Sequence, residues 1–148
     1  MAASAGPKLV VRLDHIWLEP HRGERHEYEL VIELENKGIV KVPDFRIDVW
    51  FPKWFLDIEN YGFVRPEEET GTHKLFRRTQ ANFPGHVNGL YPGDKLIDKT
   101  IKFSVDNSTY HGFCEGKDLM DFPVTVVVVA DQMAPVREEM PIRRLQEF

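Results

Sequence analysis

The residues best able to do chemistry in this chain are six histidines, one cysteine and a surplus of carboxylates over cations. The histidines are His15, His21, His26, His73, His86 and His111. Zinc sites draw on ligands at short fixed spacings, such as two histidines one helical turn apart or a pair of cysteines. None of the six stands at such a spacing, and a single cysteine makes no pair. His21 and His26 lie in a segment with Glu19, Glu24 and Glu27, which reads as a solvated loop rather than a metal site. Cys114 lies between Phe113 and Glu115. A nucleophilic thiol needs an adjacent base or a positive field. His111 is near only in sequence, while Glu115 and Asp118 act in the wrong direction, so a half-buried structural thiol is expected. Asp57 with Glu59, and Glu67 to Glu69, are the densest acids. Acid–base catalysis needs two carboxyls held across a substrate in environments that separate their pKa values. Neighbouring acids on a loop do not supply that. With no Gly-x-Ser-x-Gly elbow, phosphate-cradling glycine loop or calcium-loop spacing, the chain is expected to be non-enzymatic, with no metal and no cofactor.

One segment mixes cations with aromatic rings: Lys74, Arg77 and Arg78 interleave with Phe76 and lie near Phe83. Such platforms can stack nucleobases. Glu67 to Glu69 stand close by, so the segment reads as an exposed strand whose basic residues alternate with core residues. The net charge of -5 opposes non-specific affinity for nucleic acid or an anionic membrane, although a local basic patch escapes such an average. The expectation is a protein partner or a neighbouring domain, with no nucleic acid and no membrane.

The elements that position these residues read as strands. Val124 to Ala130 is the longest run rich in β-branched residues, with Pro123 at its entrance. Seven residues is strand length, and a strand apolar on both faces belongs inside its sheet. Elsewhere the pattern alternates, as in half-buried strands. Lys8 to Leu18 places Leu9, Val11, Leu13 and Trp17 on one parity, with His15 between them. Tyr28 to Leu34 sends Tyr28, Leu30, Ile32 and Leu34 one way and glutamates the other. Phe45 to Phe51 sends Phe45, Ile47, Val49 and Phe51 inward, and Arg46, Asp48 and Trp50 outward. Lys95 to Val105 is expected to turn Ile97, Ile101, Phe103 and Val105 to one side, and Val136 to Ile142 forms the last strand. Asn36-Lys-Gly38 and Pro92-Gly93 are turn chemistry, the second suited to a type II turn. Two insertions interrupt the pattern, Lys53 to Gly89 and Asp106 to Asp121. Short strands are expected in the first, including Lys74 to Phe83, because a structureless loop of that length is uncommon in a compact domain. The 148 residues suit one domain: a tail at residues 1–7 and an all-β, two-sheet antiparallel sandwich over residues 8–148. Residues 1–7 have neither a basic nor an apolar signal region, so a cytoplasmic setting is expected.

The order of features resembles the immunoglobulin-like accessory modules of bacteria and archaea, of the cell-adhesion-related (CARDB) type. The likeness rests on the strand ending Glu-Leu-Glu-Asn36-Lys-Gly38, on Leu90-Tyr-Pro-Gly-Asp94 before a later strand, and on an apolar strand ending in Asp131 before a hairpin with Glu138-Glu139. It covers about Tyr28 to Ile142 and leaves both insertions unmatched. It implies an immunoglobulin-like sandwich that connects, spaces or binds without catalytic residues. In that topology the valine strand lies beside Phe45 to Phe51, so Thr125, Val127 and Val129 face outward next to Trp50. Outward apolar patches are covered or bind something. Lys53 to Tyr61, with Trp54, Phe55 and Tyr61, is expected to fold over part of it, or a partner does. The binding residues expected are therefore Trp50, Trp54, Tyr61, Val127 and Val129. They serve protein association or domain positioning, with self-association one form of it. The alternative is a carbohydrate-binding module, in which Trp50, Trp54 and Tyr61 stack on sugar rings while Asp57, Glu59 and Asn60 bond hydroxyls.

Overall fold

Alternation in the sequence becomes two antiparallel sheets in the computed structural model, which describes residues 7–18, 25–53, 55–60, 70–86, 88–106 and 123–141. Eight strands lie among the described residues: β1 Leu9–Trp17, β2 Arg25–Asn36, β3 Arg46–Pro52, β4 Leu56–Asn60, β5 His73–Thr79, β6 Lys95–Asp106, β7 Val124–Val129 and β8 Val136–Met140. One sheet runs β1-β2-β6-β4 and the other β5-β3-β7-β8. Every pairing is antiparallel. The valine run is an interior strand, as its two apolar faces require. No helix among the described residues is long and apolar enough to cross a membrane.

The sheets pack through the faces that alternation assigns. Tyr28, Ile47, Phe103 and Val126 are at most 2% exposed. Phe51 of β3 meets Phe103 of β6 at 5.5 Å between ring centres, joining the layers directly. Burying each such ring stabilises the fold by about 1.5–3 kcal/mol. Part of the first insertion lies among the described residues. The chain leaves the second sheet after β3, adds β4 beside β6, and returns with β5 to pair with β3. The expected strand from Lys74 ends at Thr79, where two single 3-10 turns, Gln80–Asn82 and Pro84–His86, take over. Most of the second insertion lies outside the described residues.

Two side chains depart from expectation for a physical reason. The β2–β6 register pairs Leu30 with Ile101 but Ile32 with Asp98, so β6 carries one extra residue there. A bulge of this kind reverses which side chains face inward. Before it, Leu96 and Asp98 are buried; after it, Ile101 and Phe103 are. Ile97, expected inside, is 55% exposed. Phe55, expected to cover the outward face, instead enters the core at 2% exposure. A turn closed by Phe55 N–H donating to the Pro52 carbonyl redirects the chain between the layers, where the Phe55 ring stacks on Phe103 at 4.9 Å.

Asn36 ends β2 and pins two loops. Fully buried, its amide nitrogen donates to the carbonyls of Val40 at 2.8 Å and Leu90 at 2.9 Å, and its side-chain oxygen accepts from Gly38 N–H. Its backbone also bonds to Asp94 and Gly93. Beside it, Pro92-Gly93 forms the expected turn: Gly93 has φ +87 and Asp94 N–H donates to the Tyr91 carbonyl. Gly89 has φ +102, and a Cβ there would lie 2.5 Å from the Val42 carbonyl oxygen.

Candidate functional site: the outward face of the second sheet

Register places the outward side chains of β5, β3, β7 and β8 in rows. Trp50 stands between Leu75 and Thr125, Asp48 between Arg77 and Val127, and Arg46 between Thr79 and Val129. Val127 opposes Arg137, and Thr125 opposes Glu139. Trp50, Val127 and Val129 are half-buried on this face. Thr125, the fourth residue of the expected patch, is buried there at 5%. Trp54 and Tyr61 lie outside the described residues, as do Cys114, His21 and His111.

The face is neither uniformly apolar nor uniformly open. In its middle row Asp48 is 5% exposed. Arg77 grips it with Nε at 2.8 Å and Nη2 at 3.3 Å, and Arg46 Nη2 lies 3.3 Å away. Two guanidinium groups on one carboxylate satisfy its lone pairs where water is largely excluded. At the Trp50 row Leu75 is 0% exposed although it lies outside the main core cluster. That end of the face is therefore enclosed. At the other end a concavity of about 590 Å³ opens, its wall including Asp44, Arg46, Thr79, Val129 and Asp131. The outward strip thus grades from an enclosed aromatic end, through a charged row, to an open apolar and polar hollow.

Other titratable groups are tied into cross-strand pairs. Asp98, turned inward by the bulge, meets Arg78 of β5 at 2.9 Å, with side chains 1% and 12% exposed. Arg78 also donates to the Asn82 carbonyl at 3.2 Å and lies 4.3 Å over the Phe83 ring. This inter-sheet ion pair was not anticipated. The signal for it was the break in alternation across Leu96-Ile97-Asp98-Lys99-Thr100-Ile101. On the outer face of the first sheet Arg12 bridges Glu33 and Glu35 at 2.9 and 3.1 Å. The hydrogen bond from Arg12 holds the Glu35 carboxyl below the usual carboxylate range, with smaller help from Lys37 and Lys95. His15 sits edge-on to Tyr28, its Nδ1 3.4 Å from the Met140 sulfur. His73 Nε2 is 2.9 Å from the Pro123 carbonyl. No three His, Cys, Asp or Glu residues converge as a metal site among the described residues.

No family model matches this chain, and no curated protein matches it. Among solved structures it is similar to the ApaA protein from Bordetella pertussis, at 11% identity and TM-score 0.42, over 90% of this chain and 89% of that one. It is also similar to a GH20 exo-β-N-acetylglucosaminidase from Vibrio harveyi, at 12% identity and TM-score 0.42, over 93% of this chain. The similar region is only 19% of the Vibrio harveyi chain.

Proposed function

We propose that this chain is an immunoglobulin-like, non-catalytic accessory module that associates with a protein surface, either a second copy or a neighbouring domain, through the outward face of its second sheet. The supporting observation is the half-buried pair Val127 and Val129, which leads into the hollow beside Arg46 and Thr79. Apolar side chains on an outward strand beside a concavity suit a partner's projecting side chain. The non-catalytic part of the reading is supported by the carboxylates: Asp48, Asp98, Glu33, Glu35 and Glu139 each engage an arginine. Carboxyls committed in this way do not converge on a common substrate position.

Light scattering across a wide concentration range tests the self-association form of the reading. A mass that rises with concentration, and falls back in Val129→Lys, is expected. A strictly monomeric chain in both forms removes self-association. A photo-crosslinking residue at position 129, with one at position 33 on the other sheet as control, then tests the remaining form. One discrete protein adduct from position 129 alone supports it. Tryptophan fluorescence titrated with polysaccharides separates the carbohydrate alternative, which requires a change the association reading does not.

A further inference from the structure

Among the described residues β1 pairs with β2 alone, so it is an open edge of the first sheet. Residues along an antiparallel strand turn their backbone groups alternately toward a neighbour and away from it. The Lys8 carbonyl and the Leu18 N–H both turn to β2, one accepting from Lys37 N–H and the other donating to the Glu27 carbonyl. Even-numbered residues between them share that direction. The N–H and carbonyl groups of Leu9, Val11, Leu13 and His15 therefore point off the sheet. Asp14 Oδ1 takes one of these donors, the His15 N–H, at 2.8 Å. The other three edges are guarded against pairing. β8 is five residues long and sets Glu138 opposite Val126, at an inward position. β4 is five residues long and pairs irregularly with β6. β5 turns Arg78 inward to Asp98. β1 is nine residues long and has no acid, lysine or arginine at its inward, odd-numbered positions.

We propose that β1 pairs edge to edge with β1 of a second copy of this chain, antiparallel and two-fold symmetric about Leu13, so that the first sheet runs from one protomer into the next. In that register Leu13 meets the partner's Leu13, and Val11 meets the partner's His15. These are residues whose backbone groups face the edge, so each such pair exchanges backbone hydrogen bonds. On the outer side Arg12 meets the partner's Asp14, and Val10 meets the partner's Ile16, each contact occurring twice by symmetry. The outward series of apolar, cation, anion, apolar is its own complement when reversed. Ile16 is 43% exposed and Val10 half-buried, so pairing also covers apolar surface. Sliding to either adjacent symmetric register sets Arg12 against the partner's Arg12, or Asp14 against the partner's Asp14, and like charges directly opposite are unfavourable. In the free chain Asp14 stands in for the missing strand. On pairing, the partner's Val11 carbonyl takes over the His15 N–H and frees Asp14 for the partner's Arg12. Neighbouring acids do not cancel the match. Glu33 and Glu35 stand one strand further from the seam and reach Arg12 through Nη1 alone, and its Nε and Nη2 carry no bond among the described residues. Asp14 lies beside the uncharged Val31 on its own sheet. Glu35 and the partner's Glu29 are held apart by Val10 and the partner's Ile16. This edge belongs to the first sheet, so the reading does not depend on the Val127–Val129 face of the second.

Sedimentation velocity of the full chain over a wide concentration range tests the proposal. A monomer–dimer equilibrium is expected, and it weakens as salt screens the exposed charges. Asp14→Arg sets arginine against Arg12, and Arg12→Asp sets aspartate against Asp14. Each alone weakens the dimer about tenfold or more, because two attractive pairs become repulsive. An equimolar mixture of the two variants restores association to the parent's level, since every pair across the seam is again opposite in charge. A misfolded variant cannot produce that rescue. Val129→Lys leaves this dimer unchanged, which separates it from association through the second sheet. Leu13→Cys with Cys114→Ser gives a disulfide-linked dimer on mild oxidation, because opposite residues lie within reach of a disulfide. Val10→Cys in the same background does not, because the two copies of position 10 lie on opposite sides of the axis. The proposal is overturned by a parent that stays monomeric at every concentration, or by a dimer that survives either charge reversal. A mixture that stays monomeric, or equal cross-linking from positions 13 and 10, also overturns it.

Discussion

Asp98→Ala should be among the most costly single changes in this protein. Asp98 and Arg78 meet at 2.9 Å with side chains only 1% and 12% exposed. With an effective dielectric near 20, that separation corresponds to an attraction of about 6 kcal/mol. Removing both ions from water costs several kcal/mol each, so the intact pair sits near balance. Alanine at position 98 removes the attraction and leaves the guanidinium desolvated. The uncharged Asn82 carbonyl and Phe83 ring are among the groups that stay beside it. The expected loss is about 3–5 kcal/mol, a large share of the 5–15 kcal/mol that ordinarily separates folded from unfolded chains. Arg78→Met combined with Asp98→Leu should cost only about 0–2 kcal/mol, because an apolar pair of similar volume incurs no desolvation of charge. Urea denaturation of the parent, Asp98→Ala, the two single variants Arg78→Met and Asp98→Leu, and their double variant measures this through unchanged slopes and shifted midpoints. Asp98→Ala costing less than about 1 kcal/mol, or single costs that add within about 0.5 kcal/mol, would refute the reasoning.

Asn36→Ala removes three side-chain hydrogen bonds at a fully buried site and should cost about 2–4 kcal/mol by chemical denaturation. Asn36→Asp should also destabilise, because a carboxylate cannot donate to the Val40 and Leu90 carbonyls. Gly89→Ala combines a positive φ with a close approach to the Val42 carbonyl and should lower stability by about 1–3 kcal/mol. Leu96→Ala should cost about 2–5 kcal/mol, while Ile97→Thr should stay within about 0.5 kcal/mol; equal costs would contradict the bulge. For Glu35 the folded carboxyl titrates below its unfolded value. Its small contribution is therefore present above the unfolded pKa and disappears as pH falls through the folded one. Carboxyl NMR titration should show the Glu35 midpoint rise in Arg12→Ala.

Strand content was readable because each half-buried strand must alternate, and Tyr28, Ile47, Phe103 and Val126 lie where alternation placed them. The outward orientation of Trp50 follows from the same parity. What could not be read depends on residues far apart in sequence or on the insertion of one extra residue. The β6 bulge reverses the phase midway, exposing Ile97 and burying Asp98; the break in alternation at 96–101 marks a slip but does not say which side chains turn inward. The aromatic neighbours of Phe55 suggest a cover, but the turn after Pro52 decides its direction. Enclosure at Leu75 and the hollow near Val129 arise from how segments approach above a sheet, which a one-dimensional pattern does not encode.

The Asn36–Leu90 bond spans 54 positions. A chain in which residue 90 is not yet made lacks the carbonyl to which Asn36 donates, and so lacks that brace for the 37–42 loop. Closing so long an interval costs entropy that only the surrounding sheets recover. The bracing of the 37–42 loop against the turn at 90–94 is therefore a property of the assembled sandwich and not of the first loop alone.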